Sequence, residues 1–200
     1  SDVYKRQDRK RVQRYRCRVC RRCFSDQTFA HDYRLRIRHF NQTVFRLLCS
    51  GLSQRRVAFI VGTKPEAISR RVALFGTVAA RNLSVYRQHR AKVKDVLIDE
   101  MESFEHTKCK PLTIPLAVEE KTRKILCLDV DQIAANGRLA AVSRAKYGPR
   151  RCRRSRALRS VFRQLQTCCH VNARFKSDQS VHYPRRIRFY FPSASHERFK

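Results

Sequence analysis

The stretch VLIDE, residues 96–100, is a short apolar run that ends on two acidic residues. Two further runs, LTIPLAV (112–118) and KILCLDV (124–130), are rich in residues that favour β-strands. The polar segment EEKTR separates these two runs, as a turn would. The pattern therefore predicts a strand followed by an antiparallel hairpin.

A helix and a further strand are predicted beyond the hairpin. A basic stretch without clear periodicity reaches residue 154, and the helix follows over residues 155–168 because four apolar residues recur on one face: Leu158, Val161, Phe162 and Leu165. A short strand over residues 172–176 then leads into Asp178. Strand, hairpin, helix and strand is the order of a ribonuclease-H-like fold, so we expect an α+β or α/β class with a mixed sheet.

Two acids occupy places that would suit a metal site in such a fold. Hydrolysis or transfer at a phosphodiester uses two hard cations ~4 Å apart, which carboxylates on neighbouring strands can hold. Asp99 and Asp178 both stand at strand ends and are the candidate catalytic ligands. Glu100 should point to the opposite face of its strand and is a weaker candidate. The alternative is that each Asp is an ordinary turn or cap residue.

The distribution of charge indicates a polyanionic partner. The chain of 200 residues carries 46 Lys and Arg against 16 Asp and Glu, a formal net charge of +30. Residues 1–94 and 132–200 are strongly basic, whereas residues 95–131 hold nine of the sixteen acids. Nucleic acid is the first candidate partner. An anionic membrane surface and a solvated charge excess of the ribosomal kind are the alternatives.

No stretch of 18 apolar residues and no signal peptide is found, so an intracellular protein without membrane partners is expected. The nine Cys residues should then be metal ligands or buried thiols rather than disulfides. Cys17 and Cys20 are spaced as CxxC, which suits one half of a tetrahedral Zn²⁺ site. Cys23 is a weaker third ligand, and His31 and His39 are weaker still. An unmetallated pair is the alternative.

A helix-turn-helix is predicted between the zinc-type segment and the acid-rich block. Apolar periodicity from Tyr33 predicts a helix that ends at Gly51, and Ser53 can cap a second helix over SQRRVAFIV. Gly62 makes a turn, and the capping box Thr63-Lys-Pro-Glu66 starts a third helix, which should end before Gly76. Such a pair of helices typically enters the major groove of DNA.

The third helix supplies most of the expected DNA contacts. Ile68 and Val72 should face inward. The expected DNA-binding residues face outward on this helix or belong to the second one: Lys64, Ser69, Arg70, Arg71, Arg55 and Arg56. Arginine suits the bidentate contact with guanine, while Lys64 and Ser69 suit the phosphate backbone. The alternative is an ordinary helical hairpin with solvated charges.

The segments VLIDEMESF and SDQSVHYPRRIRFYFPSASHERFK resemble the DDE transposases of bacterial insertion sequences. The resemblance runs from about Tyr15 to Lys200 and covers zinc knuckle, helix-turn-helix and ribonuclease-H-like core in the family's order. It implies that Asp99 and Asp178 are the first two catalytic acids. It also implies a supporting Tyr-Pro pair and a histidine after the Phe-Pro: Tyr183, Pro184 and His196. The implied cofactors are two Mg²⁺ or Mn²⁺ ions, and Zn²⁺ for the knuckle.

The sequence departs from the family's pattern in several places. Gln179 stands where the family commonly has Gly, and the first zinc pair is absent. The family's third acid should lie well beyond His196, and Glu197 is too close to serve. The opening SDVYKRQ (1–7) resembles translated adapter sequence and is expected to be non-native. We therefore expect a piece of a transposase, lacking both ends and inactive in strand cleavage.

Four segments follow from these assignments. They are a non-native start with a zinc-ribbon remnant (1–32), a helix-turn-helix domain (33–78), a linker helix (79–94) and a partial catalytic domain (95–200). The expected partner is double-stranded DNA, both element ends and target, bound by a homo-oligomer in the prokaryotic cytoplasm at the nucleoid.

Two other functional classes are weighed against the transposase. A non-catalytic zinc and helix-turn-helix regulator would use the same N-terminal half and treat the acids as structural. An RNA-binding basic protein is disfavoured, because no aromatic-rich stacking sheet is evident.

Overall fold

The computed structural model describes residues 13–33, 35 and 39–199. The chain separates into two compact units, unit 1 up to Arg81 and unit 2 from Asn82 onward. The segment SDVYKRQ, for which a non-native origin is predicted, lies outside the described residues.

Unit 1 holds a small hairpin and three helices. Strands β1 and β2 pair antiparallel, with Tyr15 opposite Phe24, and a short 3₁₀ helix follows them. The elements are β1 (Arg14–Arg16), β2 (Cys23–Ser25), the 3₁₀ helix (Asp26–Phe29), α1 (Phe40–Cys49), α2 (Gln54–Ile60) and α3 (Pro65–His89).

The three helices of unit 1 share one small core. Its fully buried members come from all three helices: Val44, Val57, Ala58 and Ile68. The Ser53 hydroxyl accepts a hydrogen bond from the Arg56 N–H, which is the predicted N-cap of α2. Gly62 adopts a φ of 65° in the turn between α2 and α3, a conformation that glycine adopts without a steric penalty. Helix α3 then begins at Pro65, in the predicted place.

Helix α3 is longer than predicted. The sequence predicts an end before Gly76, whereas the helix continues to His89. A single glycine costs a helix interior only about 1 kcal/mol relative to alanine. The following VAARNL segment consists mainly of residues that favour helices, and Val78 and Leu83 are half-buried. These residues offset the cost of Gly76.

Unit 2 is built on one mixed sheet. The order is β5-β4-β3-β7-β8, with β6 paired to the far end of β4. Strand β4 runs antiparallel to both of its neighbours, β3 and β5, whereas β7 and β8 run parallel to β3. The strands are β3 (Val93–Phe104), β4 (Pro111–Glu119), β5 (Ile125–Leu128), β6 (Asp131–Gln132), β7 (Cys169–Ser177) and β8 (Ser195–Arg198).

One face of this sheet is covered by helix α5 (Arg154–Cys168). Its buried residues include the four predicted from periodicity: Leu158, Val161, Phe162 and Leu165. They form one core with residues of β3, β4 and β7 whose side chains point to the same face, among them Ile98, Ala117 and Phe175. Helix α6 (His182–Tyr190) adds Tyr183 and Ile187 to that core.

Four elements of unit 2 are not predicted from the sequence, and one of them, β6, has only two residues. Helix α4 (Leu139–Tyr147) lies in the basic stretch without clear periodicity, since Ser143 is its only buried residue and no apolar stripe marks it. Helix α6 contains Pro184, which is tolerated because it lies in the first turn. Strand β8 has four residues, too few for a periodicity to be visible.

The described residues therefore form a mixed α+β structure with six α-helices and a mixed sheet, in agreement with the predicted class. Among these residues, no helix combines the length and the apolar character needed to cross a membrane.

Candidate functional site

The parallel pairing of β3 and β7 brings Asp99 and Asp178 to neighbouring positions. Ile98 is paired with Ser177 across the two strands, so the next residue of each chain segment is one of the two acids. Neighbouring strands lie about 5 Å apart. Asp178 is the first residue after β7, as predicted, but the prediction that Asp99 ends its strand is wrong: β3 continues to Phe104 because it stays paired with β4. Both side chains are exposed.

Neither of these carboxylates has a cationic partner among the described residues. Asp99 Oδ1 accepts the N–H of Glu100 at 2.7 Å, and Asp178 Oδ1 accepts the N–H of Ser180 at 3.0 Å. Eight of the eleven acids in unit 2 do form ion pairs: Asp95, Glu100, Glu102, Glu105, Glu119, Glu120, Asp131 and Glu197. Asp99, Asp178 and Asp129 are the three that do not. In a chain of net charge +30, unpaired acids are the exception.

Glu100 lies on the other face of β3, as the alternation of strand residues predicts. Its Oε1 accepts a hydrogen bond from the Thr113 hydroxyl at 2.6 Å and pairs with Arg154 at the start of α5. Arg154 also pairs with Glu102 at 2.7 Å. Arg154 is not predicted from the sequence, because its two partners lie about fifty residues earlier in the chain and no local sequence pattern indicates the contact. Glu100 is thus held as an ion-pair partner within unit 2.

Tyr183 connects the two faces electrostatically. Its side chain is fully buried, and its hydroxyl has no hydrogen-bond partner among the described residues. Burial raises the pKa of Tyr183, and the nearby charges of Glu100, Asp178 and Asp99 raise this pKa further. The Tyr183 hydroxyl is therefore a buried polar group whose ionisation is disfavoured by its surroundings.

His196 and Pro184 have different local surroundings. The His196 Nε2 lies 2.9 Å from the Ser177 hydroxyl, which also donates to the carbonyl of Asp178 at 2.8 Å. Burial lowers the pKa of His196, and the Arg198 charge lowers it further, so the imidazole is neutral at pH 7. Pro184 lies in the first turn of α6. His196 therefore supports the end of β7, next to Asp178, and no such contact is seen for Pro184 among the described residues.

The donor set at this edge suits a hard divalent cation. Carboxylate oxygens are the ligands that Mg²⁺ and Mn²⁺ take, and such ions commonly keep several waters beside one or two carboxylates. Asp99 and Asp178 are exposed and uncompensated, so they fit a site of that kind. No group of three or more His, Cys, Asp or Glu side chains that could hold a metal is found within residues 13–33, 35 and 39–199. The pair is therefore the whole donor set that the described residues offer.

The CxxC turn joins β1 to β2. The Arg21 N–H donates to the carbonyl of Cys17, which closes the turn. The pKa of the Cys17 thiol is lowered, first by the backbone N–H of Cys20 and then by that of Val19 and the Cys20 thiol. Cys23 is exposed at the start of β2. Among the described residues, Cys17 and Cys20 belong to no group of three or more side chains that could hold a metal, so Cys23 is not brought to them as a third ligand.

The α2–α3 pair presents most of its predicted contact residues to solvent. On α3 and the turn before it, Lys64, Ser69 and Arg70 are exposed. On α2, Arg55 and Arg56 are exposed, and the Arg56 guanidinium lies 5.4 Å from the centre of the Phe59 ring. These side chains can reach a polyanion without rearrangement of the helices.

Arg71 is an exception, and the prediction that it faces outward is wrong. It is 6% exposed, its Nε donates to Asn41 Oδ1 at 3.0 Å, and its Nη1 donates to the Ala67 carbonyl at 3.1 Å. Val72, expected to face inward, is 37% exposed. Helix α3 is thus rotated relative to the prediction, because Asn41 of α1 offers Arg71 a buried polar partner.

No protein-family model matches this chain, and no curated protein matches it significantly either.

Proposed function

We propose that this chain is part of a DDE-type transposase, which binds duplex DNA through α2 and α3 and holds a divalent cation at Asp99 and Asp178. The observation that carries the proposal is the carboxylate pair: the two acids come from distant parts of the sequence, each directly follows a residue of the last β3–β7 pair, and neither has a cationic partner among the described residues. The proposal includes a ribonuclease-H-like identity for unit 2. Three antiparallel strands, helix α5 and a strand parallel to β3 support that identity.

The two acids and the residues around them have different expected roles. In a complete site, divalent cations would prepare the attacking oxygen and stabilise the leaving one at a phosphodiester. Asp99 and Asp178 would supply oxygen ligands from two strands whose register is fixed by the sheet. Neutral His196 would hold the end of β7 through Ser177.

A non-catalytic regulator is the second candidate function. The observation that favours it is the lack of a third acid beside the pair within the described residues. Such a protein would bind DNA equally well. The two candidate functions therefore differ only in whether Asp99 and Asp178 bind a divalent cation.

Replacing Arg70 with Gln should weaken duplex binding. If Arg70 makes a bidentate base contact, its loss costs about 1–3 kcal/mol and relaxes the preference for one sequence. The measurement is fluorescence anisotropy of labelled duplexes at a stated salt concentration. Arg81→Gln is the matched control, because Arg81 is exposed on the same helix about 16 Å further along the axis. Equal losses in both variants would contradict a specific role for the start of α3.

Mn²⁺ binding tests the carboxylate pair. We expect one or more bound ions in electron paramagnetic resonance titrations of the full chain, displaced by Mg²⁺, and a loss of at least tenfold in affinity for Asp99→Asn or Asp178→Asn. Asp129→Asn is the control, because Asp129 is also unpaired and accepts the N–H of its own neighbour at 2.7 Å. Duplex binding without any Mn²⁺ binding would favour the regulator and remove the nuclease-type site.

A further inference from the structure

Helix α5 carries a row of arginines on the side opposite its core face. Ala157, Leu158, Val161 and Leu165 point into unit 2 and are buried. The opposite side lines an open groove of about 450 Å³ formed by Arg156, Arg159, Ser160, Arg163 and Gln164. Arg159 and Arg163 are one helical turn apart, so their side chains project from the same face about 6 Å from each other along the axis.

Helix α6 extends this basic row. Arg185 and Arg188 are exposed on α6, which packs against α5. Arg186 lies between the two helices and donates to the Ser155 hydroxyl at 3.0 Å. Burial lowers the pKa of Arg186; Tyr190 and Glu100 act in the opposite direction, and the charges of Arg159 and Arg185 lower it further. The exposed arginines of these two packed helices are here called the α5–α6 surface: Arg159, Arg163, Arg185 and Arg188.

Within residues 13–33, 35 and 39–199, no acidic side chain forms an ion pair with the four arginines of the α5–α6 surface. Neither helix contains an acidic residue. Among the described residues, ion pairs of arginines on these two helices involve only Arg154 and Arg156, which lie in the first turn of α5. Most acids of unit 2 are already paired with other basic side chains. Binding of an external polyanion would therefore reduce the repulsion among the four arginines.

The chemistry of the surface favours phosphate groups of a duplex. Arginine offers a planar fork of donors that matches phosphate oxygens, and Ser160 and Gln164 add neutral donors between the charges. A single-stranded ligand would need a series of exposed aromatic rings on which to stack its bases. On α5 and α6, Phe189 is the only exposed aromatic side chain. We therefore propose that the α5–α6 surface is a second contact for duplex DNA, on the phosphate backbone and separate from α2 and α3.

This proposal rests on the proposed function, since it assigns a further contact for the same partner. The decisive variant is the full chain with Arg159→Gln and Arg163→Gln, titrated into a labelled duplex between 50 and 200 mM salt. Two lost phosphate contacts should make the slope of log K against log salt shallower by about 1.8. For an unchanged intercept at 1 M salt, that slope corresponds to a loss of about 60-fold in affinity at 0.1 M.

The matched control is Arg138→Gln with Arg144→Gln, two exposed arginines of unit 2 at or in α4. It removes the same charge and should change the slope by less than one unit. A second test variant, Arg185→Gln with Arg188→Gln, should lower the affinity as the α5 variant does. All variants should keep the melting temperature of the parent, because the substituted side chains are exposed.

The outcomes separate this proposal from the one on which it rests. A parent chain that fails to bind duplex DNA overturns both. Parent binding that is weakened by Arg70→Gln but unchanged by Arg159→Gln with Arg163→Gln overturns the α5–α6 surface alone. Equal losses in the α5 variant and in the Arg138 and Arg144 control overturn it as well, since only net charge would then matter. A larger loss for RNA or single-stranded DNA than for duplex overturns the choice of ligand.

Discussion

Raising the salt concentration from 50 to 200 mM is expected to weaken duplex binding by about 10⁴-fold. Besides Arg70, which is assigned to a base, seven exposed basic side chains are available for phosphate contacts across the two proposed interfaces: Arg55, Arg56, Lys64, Arg159, Arg163, Arg185 and Arg188. If each of them releases a condensed counterion, the slope of log K against log salt is about −6. Binding should therefore fall faster with salt than for a protein that makes a few contacts.

Anisotropy titrations at four or more salt concentrations give this slope directly. Sucrose at matched osmolality is the control, since it changes water activity without competing for phosphates, and it should leave the affinity nearly unchanged. A slope shallower than about −3 would mean that most of these side chains do not meet phosphate, and would contradict a binding mode spread over both units.

Phe162→Ala should destabilise unit 2 by about 3–5 kcal/mol, because it removes a fully buried aromatic ring and leaves a cavity. Phe162 is 0% exposed, and its ring centre lies 5.6 Å from that of Tyr190 and 6.3 Å from that of Phe175. It thus joins α5 to both α6 and the central sheet. A loss of this size is a large share of the stability of a typical domain.

Hydrogen exchange followed by mass spectrometry assigns the loss to one unit. Peptides from residues 154–177 should lose protection in Phe162→Ala, whereas peptides from residues 40–75 should keep it. The adjacent exposed residue supplies the control: Arg163→Ala should change stability by no more than about 0.5 kcal/mol. Unchanged protection of residues 154–177 in Phe162→Ala would contradict the core described for unit 2.

The parts of the fold that sequence predicts are those with a repeated apolar spacing. Helix α5 shows its buried stripe in the sequence, and the strands β3, β4 and β5 appear as compact apolar runs. Helix α4 buries only Ser143, so its sequence has no repeated spacing of apolar residues from which a helix could be predicted. The extent of α3 was underestimated because one glycine is too weak a barrier to stop a helix whose neighbours favour it.

The candidate site is predicted less completely, for a related reason. That Asp99 and Asp178 should lie near each other follows from parallel strands, but the ladder register that makes them adjacent depends on long-range pairing. The burial of Arg71 likewise depends on Asn41, thirty residues earlier, and no local pattern encodes that contact. Sequence periodicity indicates which face of a helix or strand is apolar. It does not indicate which polar residue elsewhere in the sequence will pair with a charged side chain.

The neighbouring acids Asp99 and Glu100 share a peptide bond but have opposite surroundings, one exposed and the other bound to Arg154. What keeps them apart is the nine-residue alignment of β3 with β4, from Val96 opposite Glu119 to Phe104 opposite Pro111. A slip of one residue would turn every side chain of β3 over, and would bring Asp99 to the helix side and Glu100 to the outside. The length of the hairpin turn between these strands therefore determines which acid faces outward. One residue gained or lost there would place Glu100 on the outer face instead of Asp99, with both acids still present in the sequence.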